Sequence, residues 1–282
     1  MVRVARAVLF GLFPFEIVLL VLLVSGVAVP RPVVVAGEAV VLAALALEGT
    51  VAFRLYRAAR RDAGRAEAVR RAYRTIVPVQ VRRVMAFDKD GMVSLAMLVA
   101  RRRHGVPEGA VGVPYAGAQT ATMLAFLAAM VVELVVVEVL LGALGVPAGI
   151  RLAVLMIDLY SVVIVLAVIA ACVTRPHVVT DEEVRVRYGA FFDLRIPREK
   201  IASVRTVRRY DESGPVRVDG ERLAVAVGAQ TNVLVELTEP VVAVRPLGKR
   251  ARVRSVRFYA DDPSLVASRT RRDGPAAQGA PR

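Results

Sequence analysis

The 282-residue chain predicts an α-helical membrane bundle of four transmembrane helices, joined to a small all-β domain with a closing helix. Three observations carry that reading. Hydrophobic residues make up 56% of the chain, above the share usual in soluble domains. The excess falls in four windows, 8–29, 32–53, 119–141 and 152–173, each as long as the roughly 20 apolar residues that cross a hydrocarbon core. After residue 174 the helical period gives way to alternation of apolar and polar residues, the period of strands.

Charge orders these pieces across the membrane. Residues 54–117 hold 14 basic and 5 acidic side chains, and residues 174–282 hold 21 and 14. The short connections at 30–31 and 142–151 hold one arginine each, Arg31 and Arg151. Basic residues collect on the cytoplasmic side of bacterial membranes, so both basic segments are expected inside, with the N-terminus beside Arg3 and Arg6. The net charge of +14 then points to the lipid bilayer and its anionic headgroups, at about 1 kcal/mol per basic residue near the surface, and not to nucleic acid. The first window contains Glu16 and exceeds the 7–15 residue core of a signal peptide, so it is expected to stay as a span. The single cysteine, Cys172, excludes an intrachain disulfide and a cysteine metal site. Of 39 basic residues only Lys89, Lys200 and Lys249 are lysines, which fits the codon bias of a GC-rich genome.

Taken in order, residues 1–53 form a transmembrane hairpin turned at Pro30-Arg31-Pro32. Residues 54–118 read as a cytoplasmic basic helical segment. Within it Val69, Tyr73, Ile76 and Val77 share one helical face flanked by Arg65, Arg70, Arg71 and Arg74, the pattern of a helix lying on a lipid surface. "DKDG" at 88–91 reads as a turn, since the remaining ligands of a calcium loop are missing. "MVSLAMLVA", 92–100, is too short to span and is expected to pack at the interface or against the bundle. Residues 119–173 form the second hairpin. Residues 174–272 form the β domain, with strands at "HVV", "VRVRYG", "FFDLRI", "ASVRTV", "RLAVAV", "NVLVEL", "VVAVRP" and "RVRSVRFYA". In "VRVRY", Val184, Val186 and Tyr188 face a core while Arg185 and Arg187 face water. Asp262 caps a last helix with Pro263 at its first position, and the Gly/Pro/Ala-rich residues 273–282 are expected to be disordered.

The stretch "VTDEEVRVRYGAFFDLRIPREKIASVRTV" carries a resemblance. A short strand, an acidic turn, an alternating strand, Gly189, a second strand, Ile196-Pro197 and Ile201 leading to Val204 look like the bacterial pleckstrin-homology-like domain often attached to membrane spans. The likeness covers roughly residues 175–270. It implies a small barrel capped by a helix that serves binding or assembly, not catalysis. The spans resemble those of multi-pass membrane proteins from actinobacterial-type genomes.

The familiar catalytic motifs are missing: no GxxxxGK[ST], GxGxxG, HExxH or GxSxG occurs, and no cofactor is expected. His104 and His177 both read as surface or turn residues. What stands out is acid inside the spans: Glu16, Glu38, Glu48, Glu133, Glu138 and Asp158. At about 1.5 Å rise per residue, Glu38, Glu133, Glu138 and Asp158 fall in the outer half of the bilayer, a candidate proton or cation pocket. The bland alternative is that each is protonated or hydrogen-bonded to a neighbouring helix. For lipid headgroups, Arg205, Arg208 and Arg209 in "VRTVRRY" are the candidates. The leading expectation is a non-enzymatic membrane protein whose β domain binds headgroups, a protein partner or a second copy. The alternative is a small proton- or cation-handling protein.

Overall fold

The computed structural model describes residues 30–270. The window at 8–29 with Glu16, and the tail 273–282, lie outside the described residues. Six helices and nine strands follow: α1 Arg31–Ala59, α2 Arg65–Ile76, α3 Val79–Val99, β1 Val111–Val113, α4 Gly117–Ala143, α5 Ala148–Thr174, β2 His177–Val179, β3 Glu183–Tyr188, β4 Phe192–Pro197, β5 Ile201–Arg209, β6 Val216–Asp219, β7 Arg222–Val225, β8 Thr231–Val244, β9 Arg250–Phe258 and α6 Pro263–Thr270.

The expected architecture of four membrane helices plus one small barrel is not what the chain builds. Among the described residues two helices, α4 and α5, are long and apolar enough to cross a membrane. Each has 27 residues and only two charged side chains. The window 32–53 lies within the 29-residue α1, which carries Arg31, Glu38, Glu48, Arg54 and Arg57 and is far less apolar along its length. Nor does the β region close. It forms a four-stranded antiparallel sheet, β1-β2-β3-β4, and a separate five-stranded sheet, β5-β8-β9-β7-β6, with β7 and β9 parallel. Alternation specifies which face of a strand is apolar, but not whether the sheet curls onto itself. Here the two sheets share one core instead. Val179, Val184, Val186, Leu194 and Ile196 of the first meet Leu223, Val235, Val253, Val256 and Phe258 of the second, and Val266 of α6 joins them. Each fully buried side chain of this size contributes about 1.5–3 kcal/mol, which is ample to define the unit.

The chain divides into two compact units. One comprises the described residues up to Arg82 with Met130–Ser161; the other comprises Arg83–Ala129 with Val162 onward. In the first, α2 packs on α1 and buries Ala68 and Ala72, leaving Val69 and Tyr73 exposed. Arg151 donates hydrogen bonds to Glu138 across the α4–α5 turn, from Nε at 3.1 Å and from Nη2.

In the second unit, "DKDG" is helix and not a turn, because α3 runs unbroken from Val79 to Val99. Gly91 has a packing reason: a β-carbon there would lie 3.1 Å from that of Ala167 on α5. Beside it Arg175 donates from Nε to the Ser94 hydroxyl at 3.0 Å and from Nη2 to the Asp90 carbonyl at 3.1 Å. Within the segment 92–99 only Ser94 is buried, while Met92, Val93, Leu98 and Val99 are exposed. At the far end Asp262 accepts from the Ser264 N–H at 3.0 Å, the cap read from the sequence.

Candidate basic cleft at the roots of α4 and α5

Two sequence expectations fail in one place, and the failure builds a site. His177 is 1% exposed and Arg187 2% exposed, although both were expected in water. The cover is the connection between α3 and β1, which folds over that face of β3. Arg187 donates to the carbonyls of His104 at 2.9 Å and Gly105 at 3.0 Å, with a longer contact of 3.4 Å to Pro176. Burial lowers the Arg187 guanidinium to about 10, so it stays charged at neutral pH and spends that charge on carbonyl dipoles. Arg185, two residues earlier, behaves as expected: partly exposed, it pairs with Asp193, and that hydrogen bond raises its pKa.

The same connection carries Arg101, Arg102 and Arg103. Helix α3 ends in a paired motif in which Arg101 N–H donates to Leu98 O at 3.0 Å and Arg102 N–H to Met97 O at 2.9 Å. That closure needs a left-handed residue, ordinarily glycine, and Arg101 supplies it at φ +52°. His104 N–H then donates to the Thr174 carbonyl at 2.8 Å, tying the loop to the end of α5. The three arginines border a cleft of about 400 Å³. Its floor is apolar, from Leu98, Pro114, Ala116 and Val173, with Asp261 at one wall. The Asp261 carboxylate is occupied by the start of α4, accepting from Gly117 N–H at 3.1 and 3.3 Å. Burial raises its pKa and that hydrogen bond opposes the rise.

Beneath the cleft lies a packed polar layer. Tyr115 stacks on His177 with centroids 4.6 Å apart, and its hydroxyl accepts from Gly189 N–H at 2.6 Å. Tyr188 donates to Gln119 at 3.2 Å. His177 accepts at Nδ1 from Arg187 N–H at 3.0 Å and so donates from Nε2 to the Tyr259 carbonyl at 2.9 Å. Burial lowers its imidazole to about 4. With both nitrogens engaged and no opening to solvent, His177 is a structural member and has no free lone pair for catalysis or metal.

The residues singled out by sequence fall elsewhere. Glu38 and Glu133 are exposed on α1 and α4, Asp158 is half-buried on α5, and Glu138 is held by Arg151. Among the described residues no three acidic, histidine or cysteine side chains gather closely enough to hold a metal ion. Arg205 pairs with Glu236 across β5 and β8 at 2.7 Å, while Arg208 and Arg209 are exposed at the end of β5. Arg101–Arg103 were visible as a charge run, but "RRRHG" alone does not reveal a cleft whose other walls lie at 114–116, 172–176 and 261. No protein-family model, curated protein or solved structure matches this chain.

Proposed function

We propose that the chain is an integral protein of a bacterial cell membrane, in which the helix pair α4–α5 crosses the bilayer and both of its roots meet a cytoplasmic, non-enzymatic β module for binding and assembly. One observation carries this. Many large apolar side chains of the pair are exposed, among them Val131, Val132, Val136, Leu140, Leu152 and Ile157, and the most apolar stretch of α4 has no buried residue. A soluble monomer rarely exposes an apolar surface of that extent, whereas lipid covers it at no cost. The basic excess at 54–117 and 174–282 supports an orientation with the β module inside. Its partners are anionic headgroups and a protein surface or second copy. Carrier chemistry finds no comparable support, since Glu138 is already neutralised by Arg151.

The test uses the full chain in bacterial membranes. It should resist extraction by alkaline carbonate. In a Cys172→Ala background, a cysteine at Leu144 should react with an impermeant maleimide in intact cells, and one at Arg102 only after permeabilisation. Release into the carbonate supernatant, or labelling at Arg102 in intact cells, overturns the reading.

A further inference from the structure

We infer that the cleft bordered by Arg101, Arg102 and Arg103 binds a phosphate-bearing group, and that its natural source is the headgroup of an anionic lipid. Three features converge. First, the basic side chains are available: among the described residues none of the three guanidinium groups makes a hydrogen bond or an ion pair. That contrasts with Arg151, Arg175, Arg185 and Arg187, which are all engaged. Second, the loop is fixed in advance. Arg187 and the end of α5 hold it from behind through the His104 and Gly105 carbonyls and the His104 N–H, so little order is lost when a ligand arrives. Arg101 occupies a left-handed backbone position that glycine would fill without strain.

Third, the shape matches an amphiphile. An apolar floor of Leu98, Pro114, Ala116 and Val173 lies under a basic rim, in a volume of about 400 Å³. Guanidinium groups take phosphate oxygens in a forked, two-bond geometry, and an apolar floor suits the glycerol and first methylenes of a lipid better than a free ion. The cleft also lies at Ala116 and Thr174, where α4 begins and α5 ends. If that pair spans the bilayer, this is headgroup depth. The lipid source thus rests on the membrane reading; the phosphate chemistry does not.

The full chain in neutral detergent is titrated with short-chain phosphatidic acid, short-chain phosphatidylcholine and inorganic phosphate, with binding followed by native mass spectrometry and by thermal shift. Phosphatidic acid should bind well above phosphatidylcholine. At about five-fold per basic residue near a surface, changing Arg101, Arg102 and Arg103 together to Gln should weaken it on the order of 100-fold. Changing Arg205, Arg208 and Arg209 to Gln removes the same charge and should leave binding within about three-fold. The triple Lys variant of residues 101–103 keeps the charge and the fold, and should bind weakly because the fork is gone. Inorganic phosphate binding as tightly as phosphatidic acid would keep the site and assign it to a soluble phosphate group. Equal losses in the two Gln triples would mean diffuse attraction and overturn the cleft, as would no binding of either phosphate probe. A protein that carbonate extracts but that still binds inorganic phosphate would separate failure of the membrane reading from failure of this one.

Discussion

Arg187→Met isolates the contact that holds the arginine loop. The side chain is 2% exposed and gives hydrogen bonds of 2.9 and 3.0 Å to the His104 and Gly105 carbonyls. Bonds from a charged donor contribute about 1.5–3 kcal/mol each, and methionine fills a similar volume without replacing them. Relief from burying a cation works in the opposite direction, so a net loss of about 2–4 kcal/mol is expected. In a domain of this size that is a fall in Tm of roughly 5–15 °C. Thermal unfolding of the full chain in mild detergent, followed by circular dichroism, reads it. Limited trypsin digestion gives a second readout, since freeing the loop should speed cleavage after Arg101–Arg103. The control is Arg185→Met: its pair with Asp193 is partly solvated and should contribute less than about 1 kcal/mol. A Tm within 2 °C of the parent together with unchanged trypsin sensitivity would refute the idea that Arg187 positions the loop (the shift is taken against the conversion above).

Protonation of His177 supplies a pH dependence. Its imidazole titrates near 4 when folded and near 6.5 when unfolded, so the unfolded chain binds more protons between those values. Stability is therefore full above about pH 6.5 and is lost as pH falls towards 4, by at most about 3 kcal/mol; His177→Gln should flatten that slope in denaturant titrations. Gly91→Leu forces side-chain atoms into Ala167, 3.1 Å from where even a β-carbon would sit, and should lower stability by about 1–3 kcal/mol in the same assay. Arg101→Gly should raise stability by on the order of 0.5–1 kcal/mol by removing left-handed strain, while weakening phosphatidic acid binding about five-fold. A gain in both would show that the side chain does not serve the cleft.

Strands with several alternating residues were legible, and β2, β3, β4, β5, β7 and β9 lie where alternation put them. The two read separately at "NVLVEL" and "VVAVRP" are one strand, β8, because a bulge between Glu236 and Val241 absorbs Pro240 without ending the ladder. β1 and β6 were not read as strands from the sequence. The burial of Arg187 was illegible for a different reason. Its cover comes from residues 104–105, more than 80 positions earlier in the chain, and no local pattern encodes so distant a contact. The closed barrel failed likewise, since β1 joins the first sheet from the far side of the α4–α5 hairpin and lengthens its edge.

The arginines explain why composition alone misdirects the search for a site. A chain with 39 basic residues offers charge runs everywhere, and "VRTVRRY" stands out as much as "RRRHG". What separates them is the surroundings of each: residues 101–103 border a cleft, whereas Arg205 is held by Glu236 and Arg208 and Arg209 are exposed at the end of β5. Arg151 closes the α4–α5 turn on Glu138, Arg175 ties α3 to the end of α5, and Arg205 satisfies Glu236. A cation with an internal partner must lose it before it can bind anything else, and that exchange gains little. Arg187 goes further: its charge is spent on backbone carbonyls, and what it holds in place is the segment bearing three arginines that have no hydrogen-bond or ion-pair partner among the described residues. Fixed backbone beneath free side chains is the arrangement a recognition site requires, because order is then supplied by folding and not by the ligand. Arg208 and Arg209 share the lack of a partner among the described residues; the bordering cleft and the backbone held by Arg187 are what single out residues 101–103.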